Sequence, residues 1–321
     1  MILMARRKFL RTSLTFPVAA AFTAETACGS PFSLALFSDD PHVEFPTSPR
    51  ERIAVASYPF REFIAGRHDD KAFTASKMPL RDFAPHVLAK FNVRRVEPWS
   101  EHFLSLEPAY IDEIRNAATK AGSSFANIAA DGDHSLYSPD ADERQRAMEF
   151  AKTWIGVAAR LGSPSVRINL RATKNAKPDA QQVSAELKPI AEHAASKNVV
   201  VHLENDNPVS ENPFFLVSVL DIVNSRWLHA LPDFGNSLAA LPPEDAYRGL
   251  AQLFARAYAI SHVKDTTTTP ANQVVQVDLA RSFAIAGKYN YKGFFSMEWE
   301  TAGDVYAGTS KLIDLTLKNI S

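Results

Sequence analysis

Cysteine is almost missing from this chain: Cys28 is the one thiol in 321 residues, so neither an intramolecular disulfide nor a cysteine-built zinc site can form. Glycine is scarce as well, at 12 residues, and no G-x-G-x-x-G follows any β-branched run. That removes the usual fingerprint of a nucleotide-binding, open doubly wound sheet, the runner-up architecture. Excess charge of one sign is absent, with 35 Lys and Arg against 36 Asp and Glu. A near-neutral chain lacks the basic footprint of a nucleic-acid binder, so a small-molecule partner is expected. No low-complexity tract interrupts a composition that is 46% hydrophobic, which is ample for a large core.

The first residues, "MARRKFLRTSLTFPVAAAFTAETA", place a basic cluster before a short alanine-rich stretch, the pattern of an export leader. Arg6 and Arg7, followed by Lys8, Phe9, Leu10 and Arg11, resemble the twin-arginine signal. That resemblance implies export to the periplasm, with residues 1–30 as leader, 31–50 as an extended linker and 51–321 as one domain. Ala19–Ala21 offers a cleavage site, whereas Glu25 spoils a lipoprotein box at Cys28. An uncleaved leader would leave the protein tethered to the membrane, and a basic amphipathic tail is the plainer alternative.

From residue 52 onward, β-branched and aromatic runs alternate with segments of helical spacing, the signature of repeated β-α units around a parallel sheet. Eight runs are found, at 52–60, 93–99, 123–131, 165–170, 199–204, 228–234, 257–265 and 293–300. Helices are expected at 70–90, 107–121, 178–197, 211–224, 242–255 and 277–287, and one between 138 and 162. In that last segment Ser138 and Asp140 are capping candidates, Phe150, Ala151, Trp154, Ile155, Ala158 and Leu161 recur at three-to-four spacing, and Gly162 stops the helix. Eight strands and about 270 residues fit a single (β/α)8 TIM barrel, α/β in class.

Active sites in this fold lie at the C-terminal strand ends. The fifth to eighth runs end in Glu204, Asp233, His262 and Glu298. Singly, such a Glu is more often a helix cap and such a His a hydrogen-bonded core residue. Together, three carboxylates converging on one space would repel unless a cation neutralised them or their pKa values rose. One divalent metal ion is therefore expected. Oxygen donors with one imidazole suit Mn²⁺, Mg²⁺ or Co²⁺, with Zn²⁺ and Fe²⁺ as further options. Side-chain alternation adds Arg167, Asn169 and Lys264 as candidate substrate-binding residues, with Glu97 at the second strand end and His102 in a loop. For Glu97 the bland reading is an ion pair with Arg94 or Arg95; for His102 and His134 it is a solvated loop histidine. His202 is read as a lower-layer hydrogen-bonding residue, Asn236 as a turn former, and Phe60, Trp99 and Trp299 as either core or a stacking platform for a sugar.

The fragments "HLEND" at 202–206, "LPDFGN" at 231–236, "SHVKD" at 261–265 and "YKGFFSMEWE" at 291–300 resemble the sugar phosphate isomerase/epimerase superfamily, the xylose-isomerase-like TIM barrels. The resemblance extends upstream through "VRRVEPWSEHF" and "AMEFAKTWIGVAARLGSPSVRIN" to nearly all of 50–321. It implies that Glu204, Asp233, His262 and Glu298 bind one metal, and that Glu204 and Glu298 also act as the acid/base pair of an epimerase or isomerase working through an enediolate. No glycine-rich phosphate cradle is seen near the last strands, and "TTTTPANQVVQ" lacks a run that many relatives carry, so an unphosphorylated keto sugar or keto-glycoside is favoured. Three alternatives stand beside this reading: a 3-keto-sugar lyase or hydratase using the same site, an endonuclease-IV-like phosphodiesterase, which would need more histidines, and a non-catalytic periplasmic sugar-binding protein.

Overall fold

A computed structural model describes residues 40–67 and 77–320. The leader expected at 1–30, and residues 31–39 of the linker expected after it, lie outside these residues. Within them the strands are β1 (Ile53–Ala56), β2 (Arg95–Glu97), β3 (Ser124–Phe125), β4 (Ala129–Ala130), β5 (Ser165–Ile168), β6 (Val200–Glu204), β7 (Leu228–Leu231), β8 (Ile260–Val263), β9 (Thr266–Thr268), β10 (Val274–Gln276) and β11 (Phe294–Met297). The helices are α1 (Phe83–Phe91), α2 (Pro108–Lys120), α3 (Ala141–Leu161), α4 (Ala180–Lys197), α5 (Pro213–Val223), α6 (Pro243–Phe254), α7 (Leu279–Lys288) and α8 (Val305–Ile320).

Every pairing among the barrel strands is parallel, in the orders β3-β2-β1-β11-β8 and β4-β5-β6-β7. Two seams join these sheets into a ring. At one, β3 and β4 are halves of a single barrel strand that changes partners: Ala126 N donates to Val96 O and Ile128 N to Ser165 O. At the other, isolated bridges link Ala230 to Ala257 and Asp233 to His262. The result is the expected eight-position TIM barrel, with the expected 123–131 run split in two. β1, β5, β6, β8 and β11 are buried along their whole lengths, because helices cover one face and the barrel interior the other.

The helix ends explain how so little glycine suffices. Asn92, Asn198 and Asn224 take left-handed conformations at the C-caps of α1, α4 and α5, a place usually held by glycine. In α3 the expected devices are present: Asp140 accepts from Asp142 N at 2.9 Å and Gly162 closes the helix at φ +81°. Ala151, Trp154, Ile155, Ala158 and Leu161 form its buried stripe. Asp140→Ala is expected to cost about 1 kcal/mol, read as a lower urea midpoint at unchanged m-value.

Three elements depart from expectation. Helix α1 is shorter than 70–90, since Leu80–Asp82 is a 3-10 turn and part of that span lies outside the described residues. The "TTTTPANQVVQ" segment folds as an antiparallel β9–β10 hairpin beyond the C-terminal end of β8. Residues 305–320, where no helix was expected, form α8, packed through Val305, Thr309, Leu312, Ile313 and Thr316.

At the opposite end, residues 40–48 form no strand or helix but seal the barrel bottom. Phe45 stands edge-on to Tyr258 and Phe294, and Tyr258 Oη donates to Pro41 O at 3.0 Å. Val43 and Phe45 pack against Ala54, Ala126, Leu231, Ile260 and Phe294. Among the described residues no helix is long and apolar enough to cross a membrane.

Candidate metal centre and the cavity above it

Glu204 is the last residue of β6, His262 the third of β8, Asp233 lies two residues beyond β7 and Glu298 one beyond β11. Neighbouring strands thus deliver four polar side chains to one height at the C-terminal mouth. One ligand atom from each lies within 4.8 Å of all the others, and the four residues are buried.

His262 sits at the centre. Its Nδ1 is 2.8 Å from Glu204 Oε1, 3.1 Å from Glu298 Oε2 and 3.9 Å from Asp233 Oδ2. Its Nε2 is 3.0 Å from both oxygens of Glu97. Glu97 in turn accepts from Asn127 Nδ2 at 2.7 Å, and Ser165 Oγ donates to Asn127 Oδ1. Asp233 is held by its turn: Oδ1 accepts from Gly235 N and Asn236 N, while Asn205 Oδ1 accepts from Asp233 N. This leaves Asp233 Oδ2 fully buried without a hydrogen bond.

Two cations flank the cluster. Lys264 Nζ lies 3.0 Å from Glu298, 3.2 Å from Glu300 and 3.5 Å from Asp233, and donates to Asn236 Oδ1 at 2.9 Å. Arg167 Nε is 3.0 Å from Glu204 Oε2, and its Nη1 pairs with Asp131.

Crowding divides the titrations. Burial lifts Asp233 to about 7, with Glu204 and Glu298 adding to the rise against the pull of Lys264. Burial also acts to raise Glu298, but His262 and Lys264 outweigh it and hold that carboxyl far below the ordinary range. In His262, burial disfavours the charged ring, yet Glu204, Glu298 and Glu97 raise its pKa well above normal. Asp206, exposed at the mouth yet crowded by surrounding protein, is lifted to about 6 by that desolvation and by the charge of Glu204.

These residues fit a divalent cation on two grounds. With the Nε2 proton directed to Glu97, a neutral His262 would turn the Nδ1 lone pair toward carboxylate oxygens, an arrangement that needs either a second proton on the ring or a metal ion between them. The buried, unbonded Asp233 Oδ2 asks for the same positive charge. A His–carboxylate pair behind a ligand is the common outer-sphere arrangement of metal sites. Glu97→Gln is therefore expected to weaken Mn²⁺ binding by about 10- to 100-fold, measured by competition with a chelating dye.

A cavity of about 190 Å³ opens above the cluster, with Tyr58, Trp99, Asp131, Arg167, Asp206 and Lys264 on its walls. Trp99 Nε1 donates to Asp131 Oδ2 at 2.6 Å, and the Tyr58 ring meets Trp99 edge-on at 5.0 Å. Three residues expected to contact substrate lie elsewhere. Glu97, 1% exposed, holds His262 from behind. His102 is folded inward by the Ser100–His102 3-10 turn and bonds Ser57 Oγ at 2.8 Å. Asn169 turns sideways to tie down Gly132 N at 2.8 Å. Phe60 is core, against Phe83, Phe91 and Tyr306. His202 is the lower-layer residue expected, its Nε2 accepting from Ala259 N at 3.3 Å.

The reverse error concerns Asn236, read only as a turn former. Its Nδ2 reaches Glu204 Oε1 at 3.3 Å, so it bridges Glu204 and Lys264. Glu300 and Asp206 were missed, although each lies two residues beyond a metal-ligand candidate and alternation points them the same way. Tyr58 and Asp131, just past β1 and β4, carried the same strand-end signal.

A model of the xylose isomerase-like TIM barrel family matches residues 86–317. The chain belongs to that family. Several solved structures share its fold. A xylose isomerase-like TIM barrel protein from Mycobacterium smegmatis, in complex with magnesium, aligns with TM-score 0.62 and 15% identity over 85% of this chain and 99% of that one. A D-allulose 3-epimerase from Methylomonas sp. gives 0.64 and 14% over 86% and 100%, and a 3-keto-D-glucoside 4-epimerase from E. coli gives 0.61 and 12% over 82% and 98%. No curated protein matches the sequence.

Proposed function

We propose that the protein is a metal-dependent sugar epimerase or isomerase that moves a proton on the carbon next to the carbonyl of an unphosphorylated keto sugar or keto-glycoside, through an enediolate. The observation that carries the reading is the set of Glu204, Asp233, His262 and Glu298 gathered beneath a small polar cavity. The epimerase relatives of the same fold support it.

Glu204, Asp233, His262 and Glu298 would hold a divalent ion, which when bound would supply Lewis-acid polarisation of the substrate carbonyl. Glu298 is ionised at neutral pH and accepts the proton; because its basicity is low, it depends on that activation of the carbon acid. Glu204, on a different strand and oriented by Arg167, passes a proton taken up from solvent to the opposite face of the same carbon, and Glu298 releases the proton it accepted to solvent. Lys264 keeps Glu298 and Glu300 in place, and Asp131 and Trp99 offer acceptor and ring surface to sugar hydroxyls.

Charge favours an unphosphorylated substrate. Arg167 and Lys264, the cations of the cavity wall, are already paired with carboxylates, and Asp206 and Glu300 add negative charge at the mouth. The Arg6–Arg7 leader supports a periplasmic location, which fractionation of cells carrying the native or an Arg6→Lys, Arg7→Lys leader tests.

The deciding experiment follows solvent deuterium into a panel of keto sugars and 3-keto-glycosides with Mn²⁺-loaded protein. Exchange at one α-carbon is the expected result. Metal binding without exchange on any substrate would leave a sugar-binding protein, and no affinity for divalent ions would end the reading. Tyr58 favours one second reading: burial, then Glu300, raise its pKa, so a protonated phenol on the cavity wall can donate to a departing oxygen, as a lyase requires. Product analysis by proton NMR separates elimination from epimerisation.

A further inference from the structure

The catalytic cavity, at about 190 Å³, is smaller than the roughly 300 Å³ at which pockets for larger ligands begin, so it holds one sugar ring and little more. Two troughs meet its mouth. One, of about 330 Å³, is walled by the hydroxyls of Thr266–Thr269 with Pro208 and Ala239 and has no aromatic side chain. The other, of about 510 Å³, joins the cavity at Glu300 and carries Phe63, Trp299 and Val274 with Arg61 and Thr301 at its edges.

Phe63 and Val274 are 47% and 59% exposed, two of the six exposed large hydrophobic side chains among the described residues, and both line this trough. The surface is held firmly. Phe63 stands edge-on to Tyr306 at 5.7 Å, and its backbone bonds both Phe60 O and Met78 N. Trp299 lies so close to Gly308 of α8 that a Cβ there would meet the indole at 2.2 Å. The Arg61 guanidinium covers the Tyr58 ring at 4.5 Å, and Tyr58 lines the cavity, so the two residues form the wall between cavity and trough. Rigid aromatic surface with polar edges is what a flat six-membered ring stacks upon. Glu62, Glu300 and Asp304 make the trough unfriendly to an anion.

We infer that the substrate is a keto-glycoside, its oxidised ring in the cavity and a neutral second ring, joined through the glycosidic oxygen, in the Phe63–Trp299 trough. This rests on the isomerase reading above and selects the glycoside over a free ketose.

The test compares methyl and p-nitrophenyl 3-keto-glucosides and a 3-keto-disaccharide, both anomers of each, by calorimetric Kd on the protein with and without Mn²⁺ and by deuterium exchange. The two-ring probes are expected to bind about five- to tenfold more tightly than the methyl glycosides. Phe63→Ala and, as an independent variant, Val274→Glu should each remove most of that preference, while Pro208→Ala in the other trough keeps it. Preference for the aryl probe alone assigns the trough to an aromatic aglycone, and for the disaccharide alone to a second sugar. Equal affinity for one-ring and two-ring probes, or a preference untouched at Phe63 and Val274, overturns the inference. Phe63-dependent preference without exchange on any probe retains the subsite and removes the isomerase reading; exchange with equal affinities does the reverse.

Discussion

Glu298→Gln is expected to lower α-proton exchange by about three orders of magnitude, the span associated with losing a positioned acid or base. The substitution keeps the shape of the side chain and takes away one negative charge. Glu298 is itself a candidate ligand and also balances Lys264 Nζ at 3.0 Å, so metal affinity should fall as well. Exchange is therefore measured at saturating Mn²⁺, with bound metal determined on the same sample. A fully metal-loaded variant that still exchanges within tenfold of the native rate removes Glu298 from proton transfer. Glu204→Gln, whose partner Arg167 holds the other oxygen, gives the matching test for the second face.

Metal affinity should depend on pH more steeply than four ordinary ligands would allow. Asp233 at about 7 keeps its proton in the metal-free protein below neutrality, and the carboxylates around His262 help that ring keep its second proton well above the ordinary histidine range. Both must leave before the ligands are free to bind, so affinity should rise by at least about tenfold per unit as pH climbs toward 7. Asp233→Asn should lower affinity by more than the roughly 100-fold limit of an outer-sphere change and reduce the slope by one proton. An unchanged slope in that variant sinks the assignment of the proton to Asp233.

The same shift has a sign in stability. Asp233 is raised from an unfolded value near 3.9, so in the metal-free protein its proton favours the fold at low pH, and that contribution is lost as pH rises from about 4 to about 7. His262, raised from about 6.5, acts in the same direction at higher pH. Across this range the thermal midpoint of chelator-treated native protein should therefore fall further, or rise less, than that of chelator-treated Asp233→Asn, which lacks the titrating group.

The four clustered residues were legible because strand ends and donor chemistry coincide there, and strand period fixes the height of a side chain. What failed was the distinction between a side chain at the rim and one just behind it. Glu97 ends β2 as Glu204 ends β6, yet Asn127 and His262 draw it inward, and Asn127 is available only because the third barrel strand breaks between β3 and β4. No local pattern announces that break. His102 and Asn169 depend on how short loops turn, which tertiary contacts with Ser57 and Gly132 decide. The hairpin was readable in part, since two β-branched runs flank Pro270 and Asn272, and Asn272 adopts φ +57° in its turn.

The bridge between Asp233 and His262 gives the centre a mechanical meaning. Here β7 and β8 meet through isolated contacts, with Phe234 N donating to His262 O at 3.2 Å and His262 N to Pro232 O at 3.1 Å. Two of the four candidate ligands stand on opposite banks of that gap. An ion between them acts as a clasp on the ring itself, so loading should slow hydrogen exchange at the Phe234 and His262 amides beyond its effect on the β5–β6 ladder, and raise the melting temperature with metal concentration. The same atoms that poise the chemistry would then fasten the cylinder shut.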